Sequence, residues 1–253
     1  GNFRVYEVFN LKTQGPRNIV LTKNILSKTL VDGLQIVTLE RPECTSYYIS
    51  LQGWDIGEFE TSCRRLARVI RDYEASAVSI DVFGVPGNAL PLLQQAFGEV
   101  QCPVTWLESR KEHAAPFYGV LARAVSGPEV VPVRVENRVV GMAFNADGLR
   151  YCRLGGILPK ECSRSREEQT RTVFELMERA LREVNMNFSH VARTWFYNRD
   201  MLEWYDIFNE VRTAFFTERN LFDTFVPAST GIGCWNGAEA ALTGGLIAVA
   251  GRE

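Results

Sequence analysis

The sequence has little that would suit a membrane, a metal centre or a nucleic-acid backbone. No apolar run approaches the roughly 20 residues that a transmembrane helix needs, and no signal peptide precedes the first strand-like segment. Only two histidines occur, His113 and His190, which argues against a His-rich metal site. Lys and Arg number 28 against 30 Asp and Glu, a net charge of −2 without a basic block. We therefore predict a soluble, cytoplasmic protein with no nucleic-acid and no membrane partner.

The six cysteines do not form a disulfide or zinc pattern, because they are scattered and include no C-x-x-C pair. Cys63 falls on the apolar face of a predicted helix, where a free cysteine behaves as a small hydrophobic residue. The glycine-rich stretches contain neither a P-loop nor a G-x-G-x-x-G segment after a strand. The sequence thus predicts reduced thiols, no metal and no cofactor.

What the chain does contain is an ordinary globular composition and a faint internal repeat. Hydrophobic residues make up 46% and charged residues 23% of its 253 residues, enough for a sizeable core. Alternation and helical periodicity predict the same order of elements in each half. The first half reads as strand Tyr47–Leu51, helix Glu58–Tyr73, strand Val78–Phe83, a break at Pro86-Gly87, helix Ala89–Phe97, and strands Pro103–Leu107 and Tyr118–Val125.

The second half repeats this order and has clearer helix signals. Ser165-Arg166-Glu167-Glu168 has the form of a capping box that begins a helix. A later helix places Met201, Trp204, Ile207, Phe208, Val211 and Phe215 on one side. The strands are predicted at Val130–Val135, Arg138–Phe144, Leu149–Leu154, Val191–Tyr197, Val226–Gly233 and Leu242–Ala250.

This repeated order predicts an α+β protein of two tandem units, each a mixed β-sheet with two helices on one face. The boundary falls best near Gly127-Pro128, which divides the chain into residues 1–127 and 128–253. No low-complexity linker separates the halves, so we expect them to pack closely.

Three segments of the second unit resemble those of a known superfamily. They are Arg193-Thr194-Trp195, the helix carrying Tyr205, Phe208 and Arg212, and the run Pro227-Ala228-Ser229-Thr230-Gly231-Ile232-Gly233. Together with the order of elements, they resemble the Rid (YjgF-type, chorismate-mutase-like) superfamily in tandem, and in particular its chorismatase-like members, which remove pyruvate from chorismate. The first unit matches only in architecture and is expected to be a degenerate, structural copy.

The resemblance implies trimers or pseudo-trimers with sites in clefts between neighbouring sheets, and two departures from it matter. Rid-type enamine/imine deaminases place an arginine after the Pro-Ala of the fifth strand, where Ser229 stands here. Chorismatases continue beyond the Gly-x-Gly strand and carry their catalytic acid there, whereas this sequence ends at Glu253. We therefore expect that another subunit completes the fold or that chorismatase chemistry is absent.

Residues of the second unit form a candidate site for a small anionic ligand. Arg193 and Arg212 are predicted to hold a carboxylate, with Arg153 pointing into the same cleft. Trp195 and Tyr197 alternate along one strand and so share a face that can wall a planar ligand. The candidates for binding a polar oxygen are Ser229, Thr230 and the backbone near Gly231.

Each of these residues also has a purely structural interpretation. The two aromatic residues fit a core or subunit interface, Arg212 fits a solvated helix face beside Glu210 and Glu218, and the Ser229–Gly233 run fits a tightly packed strand. Arg193 is harder to explain without a partner, because it lies among apolar neighbours. Cys234 has no neighbouring histidine to activate its thiol.

The sequence favours a cofactor-independent, chorismatase-like enzyme of secondary metabolism. Its expected substrate is a small anionic metabolite, which can be cyclic. Its catalytic residues are unknown. The alternatives are a non-catalytic Rid-like subunit for ligand binding or assembly, and an enamine/imine deaminase. The expected assembly is a homo-oligomer, trimeric or pseudo-trimeric, or a hetero-assembly with another Rid-like chain.

Overall fold

A computed structural model describes residues 4–14, 18–52, 56–84, 89–98, 101–108 and 119–251. The predicted break at Pro86-Gly87, the strand start at Tyr118 and the histidine at His113 lie outside these residues. Within these ranges no helix is long and apolar enough to cross a membrane.

The first sheet has seven strands, in the spatial order β1-β2-β3-β4-β7-β5-β6. Neighbouring strands are antiparallel except β5 and β6, which are parallel. The strands are β1 (Arg4–Gln14), β2 (Asn18–Val31), β3 (Leu34–Glu40), β4 (Thr45–Gln52), β5 (Ser76–Phe83), β6 (Val104–Leu107) and β7 (Gly119–Ser126), and the helices are α1 (Ile56–Asp72) and α2 (Ala89–Phe97).

The second sheet has six strands, in the order β12-β11-β13-β10-β9-β8, with β11 and β12 parallel. Short 3₁₀ turns cover Phe188–His190, Met201–Glu203 and Leu221–Asp223. The strands are β8 (Val130–Val135), β9 (Arg138–Ala146), β10 (Leu149–Ile157), β11 (Val191–Asn198), β12 (Ala228–Gly233) and β13 (Leu242–Gly251), and the helices are α3 (Arg166–Arg182) and α4 (Tyr205–Glu218).

The predicted α+β class, with two mixed sheets and two helices for each, is confirmed. The capping box is present, because the Ser165 side chain accepts from the Glu168 amide and the Glu168 carboxylate accepts from the Ser165 amide. Ile207 is 42% exposed, contrary to prediction. A 3₁₀ turn precedes α4, so one helical period does not run from Met201 to Phe215. Strands β1 to β3 were not predicted.

Each sheet packs its helices on one face and turns its other face toward the second sheet. Phe174 of α3, Phe196 of β11 and Phe215 of α4 form one fully buried aromatic cluster with ring centroids within 5 Å of Phe174. In contrast, Met142 and Phe144 of β9 belong to the core of the first sheet. The two units therefore share apolar packing across their junction.

The junction depends on a glycine bulge in β10. The register of β10 shifts between Leu154 and Ile157, and the Gly156 amide there donates to Thr105 Oγ1 of β6 at 3.0 Å. Gly156 has φ +59°, and a Cβ on it would lie 2.3 Å from the Val104 carbonyl oxygen. Glycine is thus required for this close approach.

Polar contacts join the sheets at two further places. Glu108 and Trp235 exchange backbone hydrogen bonds of 2.9 Å. At the opposite side, Arg41 Nη1 donates to the Tyr151 hydroxyl at 2.7 Å and lies 3.6 Å from Asp147 Oδ2. β7 ends at Ser126 and β8 begins at Val130, and the division into folding units at residues 127 and 128 stays a prediction.

We expect Gly156→Ala to lower the free energy of unfolding by about 2–4 kcal/mol, because it adds both backbone strain and a collision with β6. Gly148→Ala is the matched control, since Gly148 also has a positive φ of +74° but open space around a Cβ. The control should cost about 1 kcal/mol. Equal losses of unfolding free energy in the two variants, measured by urea denaturation, would contradict the close approach of Gly156 to β6.

We expect Glu178→Gln to cost about 1–2 kcal/mol at pH 7. Glu178 accepts from Arg219 Nε at 2.6 Å and Nη2 at 2.9 Å, linking α3 to the end of α4. These hydrogen bonds lower the pKa of Glu178 below its ordinary value of 4.5. The stabilisation is therefore present above that value and is lost as the pH falls through the folded-state pKa.

The difference in stability between wild type and Glu178→Gln should consequently shrink toward pH 3, as measured by denaturation at a series of pH values. Glu175→Gln is the control on the same helix, since Glu175 is half exposed and pairs with Arg171. A difference that does not depend on pH would contradict this account.

Candidate functional site between the two sheets

The side chains of β11 alternate between the helix side of the second sheet and the face that is turned toward the first sheet. Thr194, Phe196 and Asn198 are buried on the helix side, whereas Trp195 and Tyr197 alternate with them and share the face toward the first sheet. The register pairs Trp195 with Thr230 of β12, which places Thr230 on that same face. The predicted common face of the two aromatic residues is thus present.

Three guanidinium groups surround the Trp195 ring. The Cζ atoms of Arg153, Arg193 and Arg123 lie 4.5, 5.1 and 5.7 Å from the ring centroid. Such distances permit cation–π attraction. Arg193 is exposed and donates through Nη2 to Thr230 Oγ1 at 2.7 Å. Arg153, which was predicted to point into the cleft, reaches it from β10.

Among the residues that the structure describes, one carboxylate faces these cations. Asp81 of β5 is 3% exposed, and its Oδ2 lies 3.9 Å from both Arg123 Nη1 and Arg153 Nη2. These separations allow Coulomb attraction but exceed hydrogen-bond distance. Together the four charged groups, three arginines and Asp81, carry an excess of two positive charges at neutral pH.

Several arginine nitrogen atoms here make no hydrogen bond. Arg153 is 5% exposed, and its Nε and Nη1, together with Arg123 Nη1, are buried without a hydrogen bond. Burial lowers the pKa of Arg153 to about 10, helped by Arg123 and opposed by Asp81. Arg153 therefore stays charged at neutral pH. Unpaired buried donors are costly, and a bound anion would satisfy them.

Two candidate proton-transfer groups, Tyr197 and Cys234, are neutral at physiological pH. Burial, and then Asp81, raise the pKa of Tyr197 to about 12, so its hydroxyl acts as a donor. Burial raises the pKa of Cys234 to about 11, and its thiol donates to the Glu108 carbonyl at 3.2 Å. Cys234 is therefore not an activated nucleophile. His190 Nδ1 accepts from the Asn187 amide in a helix cap.

Three predicted site residues lie elsewhere. Arg212 belongs to α4, which packs on the Phe196 side of the sheet through Phe208, so the sheet separates it from Arg193. Ser229 pairs with Thr194 and shares its helix-side face. Gly231 lies on that side as well, because a Cβ on it would be 2.8 Å from Met201 Cε. Successive residues of β12 point to opposite faces of the sheet, so of Ser229, Thr230 and Gly231 only Thr230 lies beside the arginines around Trp195.

Sequence reasoning missed Asp81 and Arg123, which come from the first unit, the one predicted to be a structural copy. Each is the single charged residue of its strand. The same signal was recognised at Arg193 and would have found both. Which carboxylate meets which arginine depends on the packing of the two sheets, and no local pattern encodes that.

The arrangement suits an anion and not a cation. In the described ranges no group of three or more His, Cys, Asp or Glu side chains is placed to hold a metal ion. The available chemistry is charge-assisted hydrogen bonding by arginines, hydrogen bonding by Tyr197 and Thr230, and packing on the Trp195 ring.

Removal of Asp81 should leave Arg123 and Arg153 as uncompensated cations between the sheets. We expect Asp81→Asn to lower the free energy of unfolding by about 3 kcal/mol, measured by urea denaturation. Asp223→Asn is the control, since Asp223 is exposed and should change stability by less than about 0.5 kcal/mol. Similar values for the two variants would show that Asp81 does not neutralise the buried arginines.

Comparisons with known proteins place the fold. Neither a protein-family model nor a curated protein matches the sequence. A crystal structure of chorismatase matches 87% of this chain and 78% of its own, with a TM-score of 0.64 and 9% identity. Yeast Mmf1 matches 48% of this chain and 98% of its own (TM-score 0.39, 22% identity), and the E. coli YjgF gene product matches 47% and 91% (TM-score 0.39, 18% identity). The chain shares the fold of chorismatase, and the predicted resemblance to chorismatase-like proteins is confirmed for the fold.

Proposed function

We propose that the protein is a cofactor-independent enzyme of chorismatase-like type that acts on a small anionic metabolite between its two sheets. The observation that carries this proposal is the convergence of Arg123, Arg153 and Arg193 on Trp195, with Asp81 as the one carboxylate among the described residues that pairs with them. The chorismatase likeness, at 9% identity, supports the fold and leaves the reaction open.

In this proposal the arginines hold the ligand carboxylate, and Trp195, Thr230 and Tyr197 each make one further contribution. Trp195 offers a flat surface for a planar or cyclic body. Thr230 orients Arg193 through their 2.7 Å hydrogen bond. Tyr197, neutral because its pKa is raised to about 12, donates a hydrogen bond to a ligand oxygen. Catalysis then rests on positioning and on proton transfer.

Two alternatives remain. A non-catalytic Rid-like subunit would use the same arginines for binding alone, as a homo-oligomer or with another Rid-like chain. It is favoured because no general acid is identified beside the cluster within the described part of the chain. An enamine/imine deaminase is less well supported, because Ser229 stands where that class has an arginine and lies on the helix side of β12. A cytoplasmic location and a role in secondary metabolism stay predictions.

The test is pyruvate release from chorismate, followed with a coupled lactate dehydrogenase assay. We expect release by the wild-type chain and a 10- to 100-fold lower kcat/KM in Arg193→Ala, because a charge-assisted hydrogen bond to the substrate is lost. Arg212→Ala is the matched control, since Arg212 lies across the sheet, and it should retain activity.

Calorimetry on the same samples separates the alternatives. Chorismate that binds in an Arg193-dependent way without pyruvate release would favour the non-catalytic subunit. Neither binding nor release would contradict the proposed enzyme.

A further inference from the structure

Helix α1 carries a row of positive charge on the face that is turned away from its sheet. Between Thr61 and Arg71 the helix contains four arginines and no carboxylate. All four are exposed, and they are Arg64, Arg65, Arg68 and Arg71. Since the whole chain has a net charge of −2, this arginine face does not reflect a generally basic protein.

Helix α4 carries the opposite charge on its own outer face. Asp206 and Glu210 are exposed and stand four residues apart, so they are neighbours on the helix surface. Thr213, Ala214 and Thr217 continue the same face with small side chains. These five residues line an open depression of about 890 Å³ on the surface of the protein. We call this surface the acidic face of α4.

The two faces cannot meet within one molecule. The buried side of α1 belongs to the core of the first sheet, and the buried side of α4 belongs to the core of the second sheet. Because the inner faces of the two sheets meet, both sheets lie between the two helices. A contact between the arginine face of α1 and the acidic face of α4 must therefore join two molecules.

The charges on the two helices have matching spacing. Arg64 and Arg68 are four residues apart on α1, as Glu210 and Asp206 are on α4, a separation of about 6 Å along either helix. When α1 of one molecule lies antiparallel to α4 of another, with Arg68 opposite Asp206, Arg64 comes opposite Glu210. Antiparallel helices also place their dipoles in a favourable arrangement.

The same alignment brings small side chains together at the other end of the contact. It sets Thr61 of α1 opposite Thr213 of α4, next to Ala214. Small residues let the two helix backbones approach closely. The long arginine side chains can then reach the carboxylates while their aliphatic parts cover the helix surface.

We infer that the arginine face of α1 docks on the acidic face of α4 of a second copy of this chain, through the ion pairs Arg68–Asp206 and Arg64–Glu210. Because each molecule offers both faces, the association is head-to-tail and extends beyond a dimer or closes into a ring. The contact lies outside the space between the sheets and does not depend on the proposed function.

The association is weak and sensitive to salt, because exposed ion pairs contribute little individually and Arg64 also pairs with Glu60 of its own helix. Sedimentation velocity over a series of protein concentrations measures it. We expect a dissociation constant on the order of 100 µM in about 0.1 M NaCl. Association should be lost in about 1 M NaCl, where the Debye length falls from about 10 Å to about 3 Å.

Charge reversal identifies the two faces. Arg68→Glu and Asp206→Arg should each weaken self-association at least about ten-fold, since an attractive pair becomes repulsive. A mixture of these two variants should associate within about three-fold of the wild-type affinity, because the altered face of each then meets the altered face of the other with opposite charge. Arg134→Glu is the matched control, since Arg134 is exposed on β8 and its reversal changes the net charge equally.

Circular dichroism melting checks that each variant folds. Where either variant does not fold, Arg64→Glu and Glu210→Arg serve as the second pair, alone and mixed. The inference would be overturned by a wild-type protein that stays monomeric in 0.1 M NaCl, by association that persists in 1 M NaCl, or by equal effects of Arg68→Glu and Arg134→Glu. It would also be overturned by a mixture that fails to associate, which would mean that the arginine face meets a different acidic surface.

Discussion

Burial of Arg153 between two β-sheets is the constraint on which the rest of this structure depends. A guanidinium that is 5% exposed has lost most of its hydration, and transferring such an ion from water costs several kcal/mol. Coulomb attraction between Arg153 Nη2 and Asp81 Oδ2, 3.9 Å apart, offsets part of that cost. A cation–π contact between Arg153 Cζ and the Trp195 ring centroid, at 4.5 Å, offsets a further part. Neither satisfies Nε or Nη1. The fold thus leaves buried guanidinium donors without a hydrogen bond, and a bound anion would satisfy them.

The surrounding scaffold keeps this unfavourable arrangement from relaxing. Gly156 lets β10, the strand that carries Arg153, come against β6 next to Thr105. The Glu108–Trp235 backbone pair joins the same two sheets near the ends of β6 and β12. On the helix side, the aromatic core around Phe174 fixes β11 and therefore Trp195. Because these contacts come from both units, neither unit alone would form the site.

Much of the fold followed from local sequence pattern. The capping box at Ser165 and the periodicity of α3 give its start and its buried face. The alternation of β11 correctly placed Trp195 and Tyr197 together. β12 shows the limit of such reasoning, since Ser229 and Thr230 are adjacent in sequence but lie on opposite faces. Arg212 shows another limit, because a motif residue on a helix does not reveal which side of the sheet the helix covers.

The meeting of Asp81, Arg123 and Arg153 could not be predicted from either half, because it arises from how the two sheets pack against each other. A lone charge in an apolar strand indicates that a partner exists, but it does not identify the partner. The charges of Asp81 and Arg123 were overlooked because the first unit lacks the motifs of the second and was therefore interpreted as a structural copy.

The most direct test of the central claim is a crystal structure of the protein soaked with chorismate, the acid used to test the proposed function. The account predicts carboxylate oxygens within about 3.2 Å of Arg153 Nη1 and Arg123 Nη1, the ordinary range for such hydrogen bonds. An empty space between the sheets, with the acid bound only at the exposed Arg193 or elsewhere on the surface, would contradict it.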